Sequence, residues 1–200
     1  MSWLTRSFGA NRRLARALAA WNAGDWTGAL DIWAPLAQRG NARAQSNMGA
    51  AFLHGRGVER EPDKAVQWLT LAARQGDAGG QHNLALCYDE GWGVAQNHAE
   101  AARWYEKAAG QGDVEAMARL GDLHHEALGL PRDPVKAAKW WSRAAEQGHP
   151  QAQAMLGAAY LAGKGMPRDT ERARYWLEKA EEGGAGELAA GFLAQLRSAA

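Results

Sequence analysis

Large apolar and small residues recur along this chain with a period of 36 residues. Four tryptophans mark the large positions: Trp68, Trp104, Trp140 and Trp176. Small residues keep the same spacing in two further series: Ala72, Ala108, Ala144 and Ala180, and Gly76, Gly112, Gly148 and Gly184. A period in this range predicts a solenoid of stacked supersecondary units rather than one globular core.

Each unit is predicted to contain two helices. The four units span residues 44–79, 80–115, 116–151 and 152–187. The first helix is expected to fill about the first eleven residues of a unit, and in the second unit Leu84, Cys87 and Tyr88 recur at helical spacing and form its packed face. The second helix is expected to begin at a good N-cap residue, and prolines follow that position in two units, as a first helical turn allows. The residues concerned are Asn97, Asp133 and Asp169 for the caps and Pro62 and Pro134 for the first turn.

Glycines in the units predict close helix crossings and tight loops. Gly49, Gly121 and Gly157 share one first-helix register, where a missing side chain lets the partner helix approach. A Gly-x-Gly loop follows the first helix in three units, at residues 55–57, 91–93 and 163–165, and glycine there permits left-handed backbone angles. The third unit has Ala127 in place of the first loop glycine, so we expect a strained or remodelled loop.

The repeated tryptophans are predicted to be buried between helices. Burial of each indole contributes a few kcal/mol. Replacement of any one of them by alanine is therefore expected to cost roughly 3–5 kcal/mol of stability, as a purely structural effect.

The two ends depart from the repeat, as the caps of a solenoid do. Residues 1–10 are interpreted as an N-terminal tail and residues 11–43 as a capping hairpin, whose second helix contains Pro35 and is expected to bend near Asp31. Residues 188–200 are interpreted as a C-terminal capping helix, with Leu188, Phe192 and Leu196 at helical spacing. Together these segments and the four units make one continuous all-α domain.

Composition adds no sign of a nucleic-acid or membrane partner. The 200 residues are 46% hydrophobic, and 23 basic residues nearly balance 22 acidic ones. No basic surface for nucleic acid is indicated, and no apolar run approaches the roughly 20 residues that a membrane span needs. Cys87 is the single cysteine, which excludes an internal disulfide framework.

The N-terminal region leaves the compartment open between a few alternatives. Its early arginines, Arg6, Arg12, Arg13 and Arg16, interrupt every candidate apolar segment, so a secretory signal is not expected. A plain helical start is favoured over an organellar targeting peptide. We therefore expect a cytoplasmic protein, or a periplasmic or organellar one if the N-terminus is processed.

No catalytic or cofactor motif is recognisable. The Gly-x-Gly loops lack the preceding strand and the third glycine of a phosphate-binding loop, and they recur once per unit. One cysteine cannot build a cysteine-rich zinc site. Cys87 aligns with Ala51 and Leu123 and is interpreted as a buried core residue, and His124 takes the register of Tyr88 and Tyr160 and is interpreted as a core histidine. We expect no cofactor and no enzymatic activity.

Six polar residues near the ends of the first helices form a candidate polar cluster, although the groove described next is the stronger candidate site. Carboxylates and imidazoles of this kind can grip a basic peptide or a divalent metal, whereas the alternative interpretation is a solvated polar face, which we favour over a metal site. The six residues are His54, Asp89, Glu90, Asp122, His125 and Glu126.

Three positions of each first helix are predicted to point away from the packed positions and to form a groove. The fourth, seventh and eleventh residues of each unit vary between copies while the packed residues do not. These outward residues are Asn47, Ala50 and His54; Asn83, Leu86 and Glu90; Arg119, Asp122 and Glu126; Met155, Ala158 and Ala162. His82, Asp89, His125 and Leu161 are expected to flank the groove, and Trp92 is expected to be an exposed interface anchor or else to pack on its own loop.

Four motifs carry a resemblance to a known family. They are Leu156-Gly157-x-x-Tyr160, Gly91-x-Gly93-Val94, Asp133-x-x-Lys136-Ala137 and Trp104-x-x-Lys107-Ala108-Ala109-x-x-Gly112. The chain resembles the Sel-one-like repeat (SLR) family, an α/α relative of tetratricopeptide repeats, over about residues 44–187. The resemblance implies a right-handed α/α solenoid of stacked helical hairpins whose first helices line a concave face, and in the related tetratricopeptide repeats that face binds peptides.

The predicted function is a protein-interaction scaffold or adaptor that docks a peptide or protein on the concave face, with Leu86, Met155 and Leu161 supplying apolar contact. An inhibitor or immunity-type protein that blocks one enzyme is the main alternative. A hydrolase is a weaker one, because cysteine-rich relatives linked to β-lactams have paired cysteines that this chain lacks, and a metal-dependent activity centred on Asp89, Glu90 and His125 is equally weak. A bacterial setting and a monomer or weak homodimer are expected.

Overall fold

The computed structural model describes residues 3–198, and these residues form eleven α-helices and no strand. The all-α, α/α solenoid class predicted from the repeat is therefore confirmed. The helices are α1 (Trp3–Asn22), α2 (Trp26–Gln38), α3 (Ala42–His54), α4 (Pro62–Arg74), α5 (Ala78–Glu90), α6 (His98–Gly110), α7 (Val114–Glu126), α8 (Pro134–Glu146), α9 (Pro150–Ala162), α10 (Thr170–Glu182) and α11 (Gly186–Ser198).

On a larger scale than the 36-residue repeats, the chain divides into two compact units, Met1–Lys107 and Ala108–Ala200. From here on, the first unit and the second unit mean these two parts, and the 36-residue segments are called repeats. In the first unit, α1 packs on α2, α2 on α3, α3 on α4 and α5, and α4 on α5. In the second unit, α7 packs on α8, α8 on α9, α9 on α10 and α11, and α10 on α11. In each unit these helices thus pack on their neighbours along the chain, as stacked helical hairpins do.

The first helices begin two residues earlier than the sequence analysis expects. Asn41, Asp77 and Asp113 each cap a first helix by accepting a hydrogen bond from the backbone N–H three residues on, and His149 does the same through Nδ1. These four residues stand in one register with a period of 36. The expected helix start was wrong because the cap register was not recognised, and each first helix has 13 residues instead of about eleven.

The caps of the second helices agree with prediction. Asn97, Asp133 and Asp169 each accept hydrogen bonds from backbone N–H groups of the following turn. In the first repeat Glu61 takes this position without a side-chain cap, and Pro62 opens the helix, where its missing N–H has no cost.

The repeated tryptophans are not the buried aromatic series. Trp68, Trp104, Trp140 and Trp176 are all half-buried. The fully enclosed large side chains belong to the next register, Leu69, Tyr105, Trp141 and Leu177. The expectation that every repeated tryptophan fills the core is wrong, because the helix turns the following residue by about 100° and that residue faces the first helix of its hairpin.

The small first-helix residues explain how the hairpins close. A Cβ added at Gly49, Gly121 or Gly157 would collide with Leu69, Trp141 or Leu177 respectively. The predicted close crossing is confirmed, and its partner at each glycine is the buried residue of the second helix.

Buried glutamines add a hydrogen bond that the sequence analysis did not predict. Gln45, Gln81 and Gln153 donate through Nε2 to the carbonyl oxygens of Ala37, Ala73 and Ala145, at 3.1, 3.3 and 3.2 Å. Each bond ties the start of a first helix to the end of the helix before it. In the remaining repeat Met117 occupies this register, and its Sδ accepts from Gln147 Nε2.

Ala127 adopts a left-handed conformation, with φ of 62°. It ends α7 as Gly55, Gly91 and Gly163 end the other three first helices. Because a Cβ makes this conformation unfavourable, the strained loop expected in the third repeat is confirmed.

The ends differ from expectation in two details. Residues 3–10 belong to α1, which begins at Trp3, instead of forming a tail; residues 1–2 lie outside the described residues. Pro35 lies inside α2, as predicted. In α11 the buried residues are Ala189, Leu193 and Leu196, whereas Leu188 is exposed, so the packed face of the cap is rotated from the predicted one.

Candidate functional site

In the first unit, α3 and α5 present most of the predicted outward residues. His54 and Glu90 are exposed at the C-terminal ends of these helices, whereas Asn47, Asn83 and Leu86 are half-buried. The Asn83 side chain donates to the Gly79 carbonyl at 3.0 Å, within its own helix. One polar side chain of this face therefore makes a hydrogen bond within its own helix.

The surroundings of the His54 ring disfavour its charged form. Partial burial, followed by Arg56 and Arg60, lowers the pKa of His54 below its ordinary value. This imidazole is accordingly neutral at neutral pH and contributes no cation to the face.

Asp89 does not flank an exposed face, contrary to the prediction. Its carboxylate is 2% exposed and accepts hydrogen bonds from His98 Nδ1 at 2.8 Å and from the Tyr105 hydroxyl at 3.3 Å. The His82 ring lies edge-on to Tyr105, with 5.9 Å between centroids. Asp89 thus connects α5 to α6 inside the first unit, and a partner cannot reach it.

Trp92 is not the exposed anchor proposed from the sequence. It is half-buried and packs on the apolar cluster around Leu53, Leu69 and Leu84, and the Arg60 guanidinium lies 5.6 Å from its ring centre. This agrees with the alternative interpretation, in which the indole packs beside its own loop.

In the second unit, α7 carries a chain of polar contacts that leads to a tryptophan. Trp141 Nε1 donates to Asp122 Oδ1 at 3.0 Å, and the Arg119 guanidinium lies 3.6 Å from Asp122 Oδ2. The His125 ring stacks at a tilt on Trp141, with centroids 5.2 Å apart. Glu126, at the end of α7, is exposed and lies outside these contacts as far as the described residues show.

The position of Asp122 affects its charge. Burial raises the pKa of this carboxyl, although the bond from Trp141 and the nearby Arg119 act in the opposite direction. Asp122 therefore costs free energy when it is ionised.

An apolar cavity of about 170 Å³ opens beside this polar chain. Its floor is helix α9, which contributes Met155 and three alanines, and its walls come from α7, α8, the loop after α9, and α11. The lining residues are His125, Pro134, Trp141, Met155, Ala158, Ala159, Ala162, Lys164 and Phe192. Met155, Ala158 and Ala162, all predicted to point outward from α9, are brought together here.

Two further concavities adjoin this cavity. One continues along α9 and shares Ala158, Ala162 and Phe192, adding Leu161 and Arg168. The other lies on the far side of Trp141 and is lined by polar groups that include Glu115, Arg119, Asp122 and His149. Helices α7 and α9 thus present an apolar region at one end and a mixed-charge region at the other.

Five lining residues of this site were not predicted as site residues, namely Pro134, Trp141, Ala159, Lys164 and Phe192. Trp141 belongs to the 36-residue register of Leu69, Tyr105 and Leu177. This register is hard to notice because its residue type varies, whereas the adjacent register holds tryptophan in all four repeats. Phe192 was assigned only to capping, whereas it is half-buried and walls the cavity. The recurrence of large residues in this register could have indicated that Trp141 is buried. No sequence pattern indicates the position of Phe192, because it depends on how α11 packs on α9.

The remaining candidate residues have structural roles in the described part of the chain. Cys87 is fully buried, and burial raises its pKa to about 12, so the thiol is inert at neutral pH, as predicted. His124 is buried at 6% exposure, which confirms its assignment to the core. Among residues 3–198 no group of three or more His, Cys, Asp or Glu side chains is placed to hold a metal ion.

None of the helices in the described part of the chain has the length and apolar character needed to cross a membrane.

The model of the Sel1 repeat family matches four consecutive segments, residues 42–77, 78–113, 114–149 and 150–184. These bounds begin at the first residues of α3, α5, α7 and α9, so the family repeat and the structural repeat have the same register.

Solved structures with the same architecture come from several bacteria. A Sel1 repeat protein from Oxalobacter formigenes is 34% identical, with a TM-score of 0.80 over 88% of this chain and 72% of that one. The protective antigen c5321 of uropathogenic Escherichia coli, which displays an SLR fold, is 29% identical, with a TM-score of 0.82 over 90% of this chain but only 39% of that one.

The immunity protein Pa5087 of Pseudomonas aeruginosa is 20% identical, with a TM-score of 0.57 over 90% of this chain and 68% of that one, which shows a shared fold alone. No curated protein matches the chain.

Proposed function

The chain belongs to the Sel1 repeat family, and from this premise we propose that it is an interaction scaffold that docks a segment of a partner protein on its first helices. Sel1 repeats generally serve as protein–protein interaction modules. The docking surface in the second unit is the face of α7 and α9 that carries Arg119, Asp122, His125, Met155 and Ala162; we call it the first-helix face.

One observation carries this proposal: the apolar cavity on the first-helix face. Met155 and Trp141 line a concavity that the described residues leave uncovered, next to a polar stretch held by the Arg119–Asp122 pair. Interfaces combine an apolar centre with a polar rim, and a few enclosed aromatic residues supply most of the binding energy. The face has this composition.

The first unit supports the proposal less strongly. There the predicted face keeps His54, Asn83 and Glu90 accessible, but Asp89 is buried and Trp92 is packed. We therefore assign the contact to α7 and α9 of the second unit.

The inhibitor hypothesis gains no support of its own. Fold similarity to Pa5087 at 20% identity does not extend to a role in blocking an enzyme. A scaffold and an inhibitor also share the first-helix face as the natural contact surface, so the test below addresses the surface first.

Site-specific photocrosslinking tests the proposal. A benzophenone amino acid at Ala162, which is exposed on the first-helix face, is compared with the same group at Lys139, which is exposed on α8. In cells of the source organism, we expect discrete protein adducts from position 162 that are absent from position 139. A variant with Arg119→Glu in addition to the probe should reduce them. Equal adducts at both positions, or adducts at 139 alone, would contradict docking on this face.

A further inference from the structure

We infer that the apolar cavity beside Trp141 receives one aromatic or large aliphatic side chain from an acidic segment of the partner. This rests on the proposed function and specifies the chemistry of the docked segment. The size of the cavity, its lining and the charges at its edge each point to this occupant.

The size of the cavity fits one side chain. Its volume of about 170 Å³ is close to the roughly 150 Å³ of an apolar cavity that admits benzene. It is smaller than the roughly 300–1,000 Å³ typical of sites for whole small-molecule ligands. A single ring or isobutyl group on a peptide is therefore the matching occupant.

The lining provides contacts suited to an apolar group. Trp141 is 3% exposed, and its indole is held by Asp122 on one side and by the His125 ring, so this wall is rigid. Met155 and Phe192 are both half-buried and offer a thioether and a second ring. A flexible methionine beside aromatic rings adapts to inserted groups of differing shape.

The charge at the open edge is positive. Lys164 lines the cavity and Arg168 lines its continuation along α9, and both side chains are exposed. Among the described residues neither cation has an ion-pair partner, and no aspartate or glutamate lines either concavity. The carboxylates of Glu115 and Asp122 line the concavity on the other side of Trp141. A segment with acidic residues next to its apolar anchor complements this edge.

Three short peptides test the inference by protein-observed NMR. The probes are N-acetylated, C-amidated pentapeptides with Phe between pairs of Glu, with Phe between pairs of Lys, and with Ala between pairs of Glu. Labelled methyl groups of Met155, Ala158 and Ala162 report binding at the cavity. We expect saturable shifts from the Glu–Phe peptide, about three- to tenfold weaker binding of the Lys–Phe peptide, and no saturation with the Glu–Ala peptide.

Variants separate the cavity from general surface charge. Ala162→Trp fills the cavity from an exposed position, so the fold is expected to persist and the Glu–Phe peptide to lose its binding. Phe192→Ala, which removes one wall, should weaken the same peptide. The double variant Lys164→Glu/Arg168→Glu should reverse the preference to the Lys–Phe peptide, whereas Lys139→Glu, on exposed α8, should not change it.

The outcomes distinguish this inference from the proposed function. Equal affinity for the Glu–Phe and Lys–Phe peptides, or no saturable methyl shift with either, overturns the inference. If position 162 nonetheless crosslinks a protein, the proposed function stands without it. If crosslinking at 162 is also absent, both fail.

Discussion

The Asp89 carboxylate and the His98 imidazole meet at 2.8 Å inside the first unit, where the side chain of Asp89 is 1% exposed. The pair joins the end of α5 to the start of α6, and the Tyr105 hydroxyl donates to the second carboxylate oxygen. A carboxylate withdrawn this far from water is stable only while its partners remain in place.

Removal of this carboxylate should destabilise the first unit. Asp89→Ala leaves His98 and Tyr105 without their buried acceptor, and we expect a loss of about 2–4 kcal/mol in the free energy of unfolding. Urea denaturation measures it. Glu90→Ala, at the adjacent exposed residue, is the matched control and should change stability by less than about 0.5 kcal/mol. Equal effects of the two substitutions would show that the hydrogen bonds of Asp89 do not contribute to the free energy of unfolding.

Two neighbouring tryptophans of α8 should respond differently to truncation. Trp141→Ala removes an enclosed indole and its bond to Asp122, and should cost roughly 3–5 kcal/mol. Trp140→Ala removes a half-buried indole stacked under Arg143 at 4.9 Å, and should cost about 1–2 kcal/mol. Thermal denaturation of the two variants side by side gives the comparison. A larger loss of stability for Trp140→Ala than for Trp141→Ala would contradict this expectation and would favour Trp140 as the residue that fills the core.

A glycine at position 127 should stabilise the protein. Ala127 is left-handed with φ of 62°, and Ala127→Gly relieves a strain of about 1–2 kcal/mol, partly offset by the entropy that glycine adds to the unfolded chain. We expect a net gain of about 1 kcal/mol by urea denaturation. The inverse change at the equivalent cap, Gly163→Ala, should destabilise by a similar amount. A loss of stability in Ala127→Gly would contradict the strain.

The charge of Asp122 should make stability depend on pH. Because burial raises its pKa in the folded state above the ordinary value of 3.8, the ionised form penalises folding above that raised pKa. The penalty fades as the pH falls through the raised value towards 3.8. Asp122→Asn keeps an oxygen for Trp141 Nε1 and should be at least as stable as the parent chain at pH 7.

The measurement for Asp122 is the difference in unfolding free energy between the variant and the parent protein from pH 7 to pH 3. The advantage of the variant should shrink as the pH is lowered. An advantage that grows on acidification would mean that the folded state stabilises the carboxylate instead.

The sequence by itself determined the repeat, the number and order of helices in the repeats, and the identity of the cap residues Asn97, Asp133 and Asp169. These features depend on spacing and local backbone chemistry, which a linear pattern records. It also indicated the strain at Ala127, since a residue with a Cβ occupies a register held elsewhere by glycine.

Only the tertiary structure decided which face of each helix is covered. Spacing placed Asp89 beside the outward residues, yet α6 covers it through His98 and Tyr105. The same spacing could not show which of Trp140 and Trp141 is buried, because the two residues are adjacent and point about 100° apart around the helix. The cavity needs Phe192 of α11 and Met155 of α9 to line the same space. This depends on how the two helices pack, which neither helical sequence specifies by itself. Burial is a property of what packs on a residue, and that is settled only when the helices assemble.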